Sequence, residues 1–271
     1  MRTRVIAGAV LVVLLLLLVL VAPKWLAAVC FGLLLMIEAY ELLYVTGLVR
    51  HPRLLIYSAV MALLVTVWSY FDAVHAYLVL AVLLFTTLLF AEMMFDHIKV
   101  RFEMIAMCVV AGLLVPYLLT ALIRILMLKI GKYMILIPFV VAYANDAGAY
   151  FAGMKLGKHK LAPVVSPNKT IEGLVGGIIS GTVGMLLYAL ILQFGFRFRV
   201  NYVFALIYGF FGSCMGVMGD LFFSVIKRQT GIKDYGNLIP GHGGVLDRFD
   251  SVVTVAPMIE VLLVLLPVAV G

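Results

Sequence analysis

Asp247 and Asp250, spaced three apart, close the most polar run of an otherwise strongly apolar chain. From Ser224 the run reads S-V-I-K-R-Q-T-G-I-K-D-Y-G-N-L-I-P-G-H-G-G-V-L-D-R-F-D, and seven of its 27 residues are charged, about twice the 12% of the whole chain. Two further aspartates, Asp146 and Asp220, lie inside apolar segments. Ionisable groups at a bilayer are costly and mark functional sites. Carboxylates without clustered His or Cys favour a hard cation such as Mg²⁺, which takes one or two of them and completes its shell with water and substrate phosphates. The alternative is a structural network in which the acids pair with Lys227, Arg228, Lys233 and Arg248. A closed network would not need so many cations, so a metal with a polyanionic substrate is the favoured reading.

Lys169, Lys227, Arg228, Lys233 and Arg248 can neutralise several phosphates, the arginines in bidentate fashion. The turn Pro240-Gly-His-Gly-Gly244 lets backbone N–H groups approach an oxyanion without Cβ interference. No G-x-x-x-x-G-K-[ST] loop is present. His242 is read as a phosphate hydrogen-bond donor, because no Ser-His-Asp set accompanies it. Lys233 and Asp234 read equally well as a solvated pair.

The elements that must position these groups are membrane helices. The chain is 65% hydrophobic with mean hydropathy +1.20, a composition of polytopic membrane proteins. A span needs roughly 20 apolar residues to cross about 30 Å, and nine are expected, at 5–22, 27–47, 54–71, 74–95, 104–126, 133–154, 174–195, 202–223 and 252–270. The expected fold is an all-α polytopic integral membrane protein with a cytoplasmic N-terminus. Residues 1–132 would be a lipid-facing scaffold, and 133–271 a catalytic region with two polar loops. Fourteen of the 20 Lys and Arg fall on the side of the N-terminus and of both large polar loops, which places that side in the cytoplasm. The +7 net charge suits anionic headgroups or nucleotides there, rather than nucleic acid in general. The first span follows Arg2 and Arg4, but it is longer than a secretory h-region and is expected to be retained.

At 1.5 Å per residue, Asp146 lies roughly 20 Å and Asp220 about 27 Å from the outer ends of their spans. Asp247 and Asp250 return to the same level at the start of the ninth, so the four acids are expected at one depth. Glu38, Glu41, Glu92 and Glu260 also sit in or near spans; interhelical pairing or a cavity wall is favoured over an ion path. Cys30, Cys108 and Cys214 stand singly and read as core fillers. Gly177-x-x-x-Gly181 and Ser180-x-x-x-Gly184 predict close helix packing, either inside the subunit or in a homodimer.

The pattern Ser224-x-Ile-Lys227-Arg228-x4-Lys233-Asp234-x-Gly236-x2-Ile239-Pro240-x-His242-Gly243-Gly244-Val245-x-Asp247-Arg248-Phe249-Asp250 resembles that of the phosphatidate cytidylyltransferases, or CDP-diacylglycerol synthases. A second block is also similar: Asp146-Ala-Gly-Ala-Tyr150, Gly153, Gly157, then Ser166-Pro-Asn-Lys169-Thr170-x-Glu172-Gly173. Asn168 departs from it by replacing a commonly basic residue. The resemblance is specific over 146–250. It implies cytidylyl transfer from CTP to phosphatidic acid, giving CDP-diacylglycerol and pyrophosphate for phospholipid synthesis. The compact chain, with no soluble extensions in view, suggests a multi-pass protein of a bacterial cytoplasmic membrane, and the Lys and Arg distribution places its site on the cytoplasmic face. On the basis of the resemblance Asp220 and Asp247 are expected to hold Mg²⁺, with room for a second cation and with Asp146 and Asp250 in support. Lys169, Lys227, Arg228 and Arg248 would bind phosphates, and Ser166, Thr170, His242, Gly243 and Gly244 would orient them.

Two alternatives belong to other classes of function. A CTP-dependent membrane lipid kinase or related lipid-phosphate transferase would use similar groups on a different phosphoryl. An ion-coupled transporter would use the acids in the spans, but transporters often show paired halves, and no internal repeat is visible.

Overall fold

The computed structural model describes residues 8, 10, 12–71, 75–238 and 243–270. It is predominantly helical. Among the described residues, seven helices are long and apolar enough to cross a membrane: α2 (Lys24–Val45), α3 (Pro52–Phe71), α4 (His75–Phe95), α5 (Phe102–Met127), α6 (Gly131–Leu156), α7 (Ile171–Gly195) and α8 (Tyr202–Gln229). Two apolar helices are shorter, α1 (Val12–Val21) and α10 (Val252–Leu265), and a single turn, α9 (Leu246–Phe249), precedes α10. Part of the expected first span lies outside the described residues, as do Arg2 and Arg4 before it, and His242.

By internal contacts the chain forms two units, Met1–Met127 with Gln229–Phe249, and Leu128–Arg228 with Asp250–Gly271. In the first unit α2 packs on α3, and Leu35, Leu42, Leu43, Met61, Leu89 and Leu122 are fully enclosed. The last turn of α2, Glu41–Val45, widens to π geometry, a local irregularity often found at functional sites. Glu92 accepts from Arg53 at 3.3 Å and from the Tyr57 hydroxyl at 3.0 Å, an interhelical pairing of the kind expected from sequence.

In the second unit the two most closely packed helices are α6 and α7. Their contact is built from the small residues. A Cβ on Gly148 would fall 2.1 Å from that of Ser180, one on Gly176 2.2 Å from that of Ala152, and one on Gly184 2.7 Å from that of Ala144. The small-residue stripe of α7 is therefore used inside the subunit. On α8, a Cβ on Gly209 would reach the Thr182 backbone at 2.5 Å. Thr254 Oγ1 of α10 donates to the Met215 carbonyl at 2.7 Å.

Three features differ from the spans read off the sequence. α8 does not stop near 223 but continues to Gln229, so Ser224, Lys227 and Arg228 are helical; nothing between Phe223 and Gln229 breaks a helix. α10 ends at Leu265 rather than near 270, because Pro267 disfavours helical backbone before it. Its 14 residues span only about 21 Å. Four short strands also occur among the described residues, too brief to leave an alternating pattern. β1 (Lys160–Ala162) pairs antiparallel with β2 (Ser166–Thr170), and β3 (Arg199–Val200) with β4 (Ala269–Val270).

Candidate functional site

The second unit contains a cavity of about 420 Å³. Its polar lining is Asn145 and Asp146 from α6, Asn168, Lys169 and Thr170 from β2, and Asp220 from α8. Tyr150, Met154, Leu161, Leu174 and Val217 supply apolar wall. Local sequence fixes the polar side. Thr170 caps the N-terminus of α7, its Oγ1 accepting from the Gly173 amide at 3.1 Å, which aligns β2 with the helix it enters. Gly157 permits this fit, since a Cβ there would lie 2.8 Å from the Thr170 side chain. Lys169 thus reaches Asp220, and the two side chains form an ion pair. Asp220 also accepts from Ser224 Oγ one turn on, at 3.2 Å. Ser166 pairs with Ala162 at the far end of the hairpin and is not among the residues lining the cavity.

The C-terminal turn of α8 carries Lys227 and Arg228. Arg228 Nε donates to the Val165 carbonyl at 3.0 Å, tying the helix to the hairpin. Asp250 precedes α10 and accepts from the Ser251 amide at 2.8 Å. Burial pushes the Asp250 carboxyl up to about 7; the charges of Asp220 and Asp146 push the same way, against the Lys227 ammonium. Three of the four expected aspartates thus act on one another within this unit.

The first unit holds Gly243, Gly244 and α9. Asp247, buried on α9, accepts with Oδ2 from the Tyr235 amide at 2.8 Å and from the Gly244 amide at 3.0 Å. Gly243 sits at φ +83°, where a side chain would be strained and a Cβ would meet Asp247 Oδ2 at 2.7 Å. Arg248 Nε is buried without a hydrogen-bond partner among the described residues; buried donors are ordinarily paired. Lys233 and Asp234 are exposed, and no ion pair joins them among the described residues.

Two structural roles were not legible in the sequence. Glu41 accepts the amides of Val245 and Leu246 at 2.9 and 2.8 Å. The cost of a carboxylate in an apolar helix signals that it needs partners, but not which ones. Glu172 accepts the amides of Lys158 and His159 at 3.0 and 3.2 Å, and its Oε1 lies 2.6 Å from the His159 ring. It thereby holds the turn between α6 and β1.

Among the described residues no three His, Cys, Asp or Glu side chains form a metal cage. That is compatible with Mg²⁺, which needs only one or two carboxylates when phosphates complete its shell. Asp250, made reluctant to ionise by burial and by its acidic neighbours, is a donor suited to an added positive charge. The residues present therefore fit such an ion.

The profile of the Cytidylyltransferase family matches residues 2–266. The chain is 46% identical over 126 residues to the phosphatidate cytidylyltransferase of Bacillus subtilis (strain 168), covering 46% of this chain and 45% of that one. It is 45% identical over 134 residues to the protein of that name from Staphylococcus haemolyticus (strain JCSC1435), covering 49% and 50%. The figures for Staphylococcus saprophyticus are 43% over 134 residues, with 49% and 50% covered. The chain spans about half the length of the curated relatives it matches.

Proposed function

The chain belongs to the cytidylyltransferase family, and from that membership we propose that it transfers a cytidylyl group from CTP to phosphatidic acid, releasing pyrophosphate and forming CDP-diacylglycerol. The observation that carries this reading is the cavity of the second unit. Lys169, Asp220 and Asp146 stand at its polar side, with Tyr150, Met154 and Leu161 beside them as apolar wall. A lipid phosphate needs that combination of charge for its head and apolar surface for its chains.

A phosphomonoester has its second pKa near 6, so phosphatidate is already a nucleophile at neutral pH. One of its oxygens attacks the α-phosphorus of CTP. The new P–O bond forms as the α–β anhydride bond breaks, and pyrophosphate carries away the electron pair. No side chain need remove a proton, consistent with the lack of a Ser-His-Asp set. The protein must instead gather two polyanions and stabilise charge on the reacting phosphorus and the leaving group. In the second unit Lys169, Lys227 and Arg228 are the proposed phosphate ligands, with Thr170 shaping the backbone beside Lys169; in the first unit Arg248 is proposed for the same task, with Gly243 and Gly244 shaping the backbone near it. Mg²⁺ is the proposed cation, supplying charge neutralisation when bound. In the second unit Asp220 would serve it, with Asp146 and Asp250 in support. Asp247, in the first unit, is proposed for the same chemistry. The distribution of Lys and Arg supports a cytoplasmic N-terminus and a site facing the cytoplasm of a bacterial inner membrane.

The test is pyrophosphate release from CTP by the purified protein in detergent, with and without phosphatidic acid and Mg²⁺. Release that needs both, is lost on chelation, returns with Mg²⁺ and yields CDP-diacylglycerol is expected. Release without lipid, or transfer of the γ-phosphoryl group, would overturn the reading.

A further inference from the structure

We infer that Glu41, a membrane-helix carboxylate remote in sequence from the signature run, is the positioning residue that holds Gly244, Val245 and α9 in register. Glu41 begins the π-shaped last turn of α2 and is 3% exposed. Its two oxygens take successive amides, Oε1 that of Val245 and Oε2 that of Leu246. Asp247 takes the amides of Tyr235 and Gly244. Two carboxylates therefore fix four amides of one short segment, and that segment ends in Asp247 and Arg248. The fit leaves no slack. A Cβ on Gly244 would lie 2.6 Å from both Glu41 oxygens, and one on Gly236 would lie 2.8 Å from Oε1. Glycine at 244 is thus required by the carboxylate that faces it. Glu38, one turn earlier, is equally buried at 1%, but its oxygens have no partner among the described residues. It shares the helix without the clamp.

A carboxylate can accept two amides with two like oxygens. Glutamine has one such oxygen, and its NH₂ would face an N–H donor. Glu41→Gln should therefore release the segment without removing any group from the cavity. Its effect on turnover rests on the cytidylyl-transfer reading of the site; its effect on the loop does not.

The experiment is amide hydrogen exchange of the full-length protein in detergent, read over peptides covering 235–249, alongside CTP-dependent pyrophosphate release. Glu41→Gln is expected to speed exchange there by about tenfold or more, the scale of a lost charge-assisted hydrogen bond, with the helices of the second unit unchanged. Turnover should fall by about as much. Glu38→Gln should leave exchange of the segment at the wild-type rate. Gly244→Ala should loosen the segment on its own. In a Glu41→Ala background, where the carboxylate is gone, it should add less than about twofold, because contacting residues are not additive. Should Glu41→Gln fail to accumulate, Gly236→Ala presses on the same oxygen from the loop side and must give the same local loosening. Unchanged exchange over 235–249, loosening by Glu38→Gln to the same degree, or effects of Glu41→Ala and Gly244→Ala that multiply would each overturn the inference. Loosening by Glu41→Gln, together with a wild-type protein that never makes CDP-diacylglycerol, would leave the clamp standing and remove the reaction assigned to it.

Discussion

Lys169 and Asp220 each keep about a quarter of the side chain exposed, at 26%, so their ion pair is neither a solvated surface contact nor a sealed one. Removing either partner leaves a half-buried charge uncompensated beside the cavity. Asp220→Asn and Lys169→Met are each expected to lower kcat/KM for CTP by about 10² or more. The double variant should be far less damaged than the product of the two, because they act as one unit; pyrophosphate release measures all three. Asp247 presents a different case, since Oδ2 already holds two amides. Asp247→Asn keeps an acceptor oxygen but loses its charge, which should cost about 1–2 kcal/mol of stability and abolish turnover. Thermal unfolding and pyrophosphate release separate the two effects. Asp220 was legible as a candidate because a carboxylate in an apolar segment is expensive, and Asp247 because it closes the most polar run of the chain. Glu41 was legible only as an anomaly, since its partners lie about 200 residues away along the chain.

At the scale of elements, glycine placement sets how closely α6 and α7 approach, and hence where Asp146 stands. A Cβ on Gly148, two residues from Asp146, would meet the Ser180 Cβ, an atom that cannot rotate aside. Gly148→Ala is expected to destabilise the protein by about 1–3 kcal/mol through overpacking. Combining it with Ser180→Gly should restore much of the loss, as thermal unfolding in detergent would show. Thr170 joins a hairpin to α7 through its cap. Thr170→Ala should cost about 1 kcal/mol and loosen Lys169 beside it, whereas Thr170→Ser keeps the accepting oxygen. The spacing of small residues foretold tight packing but not its partner, since Gly-x-x-x-Gly serves contacts within and between chains alike. The continuation of α8 through Lys227 and Arg228 was hidden by their charge. Polar residues end an apolar run without ending a helix, and Arg228 is used there to reach the Val165 carbonyl.

For the whole molecule, the expected topology is tested by single cysteines introduced after Cys30, Cys108 and Cys214 are replaced. Lys160→Cys should react with an impermeant thiol reagent only from the cytoplasmic side, and Arg197→Cys only from the outer side; the reverse pattern would invert the proposed orientation. Sequence alone determined that the chain is a multi-pass helical protein, because backbone groups in lipid must be satisfied within a helix and that demands long apolar runs. It also singled out the candidate residues of the site, because ionisable groups in so apolar a chain are costly. Tertiary structure decided which groups meet. It pairs Lys169 with Asp220, sets Asp146 and Asp220 against Asp250, and lays Glu41 against Val245 and Leu246. The chain leaves the second unit after Arg228 and returns at Asp250, so one continuous signature serves two packed bodies. Composition and spacing act along the chain, whereas hydrogen bonds and ion pairs form across it, and only packing brings residues so far apart in sequence within 3 Å.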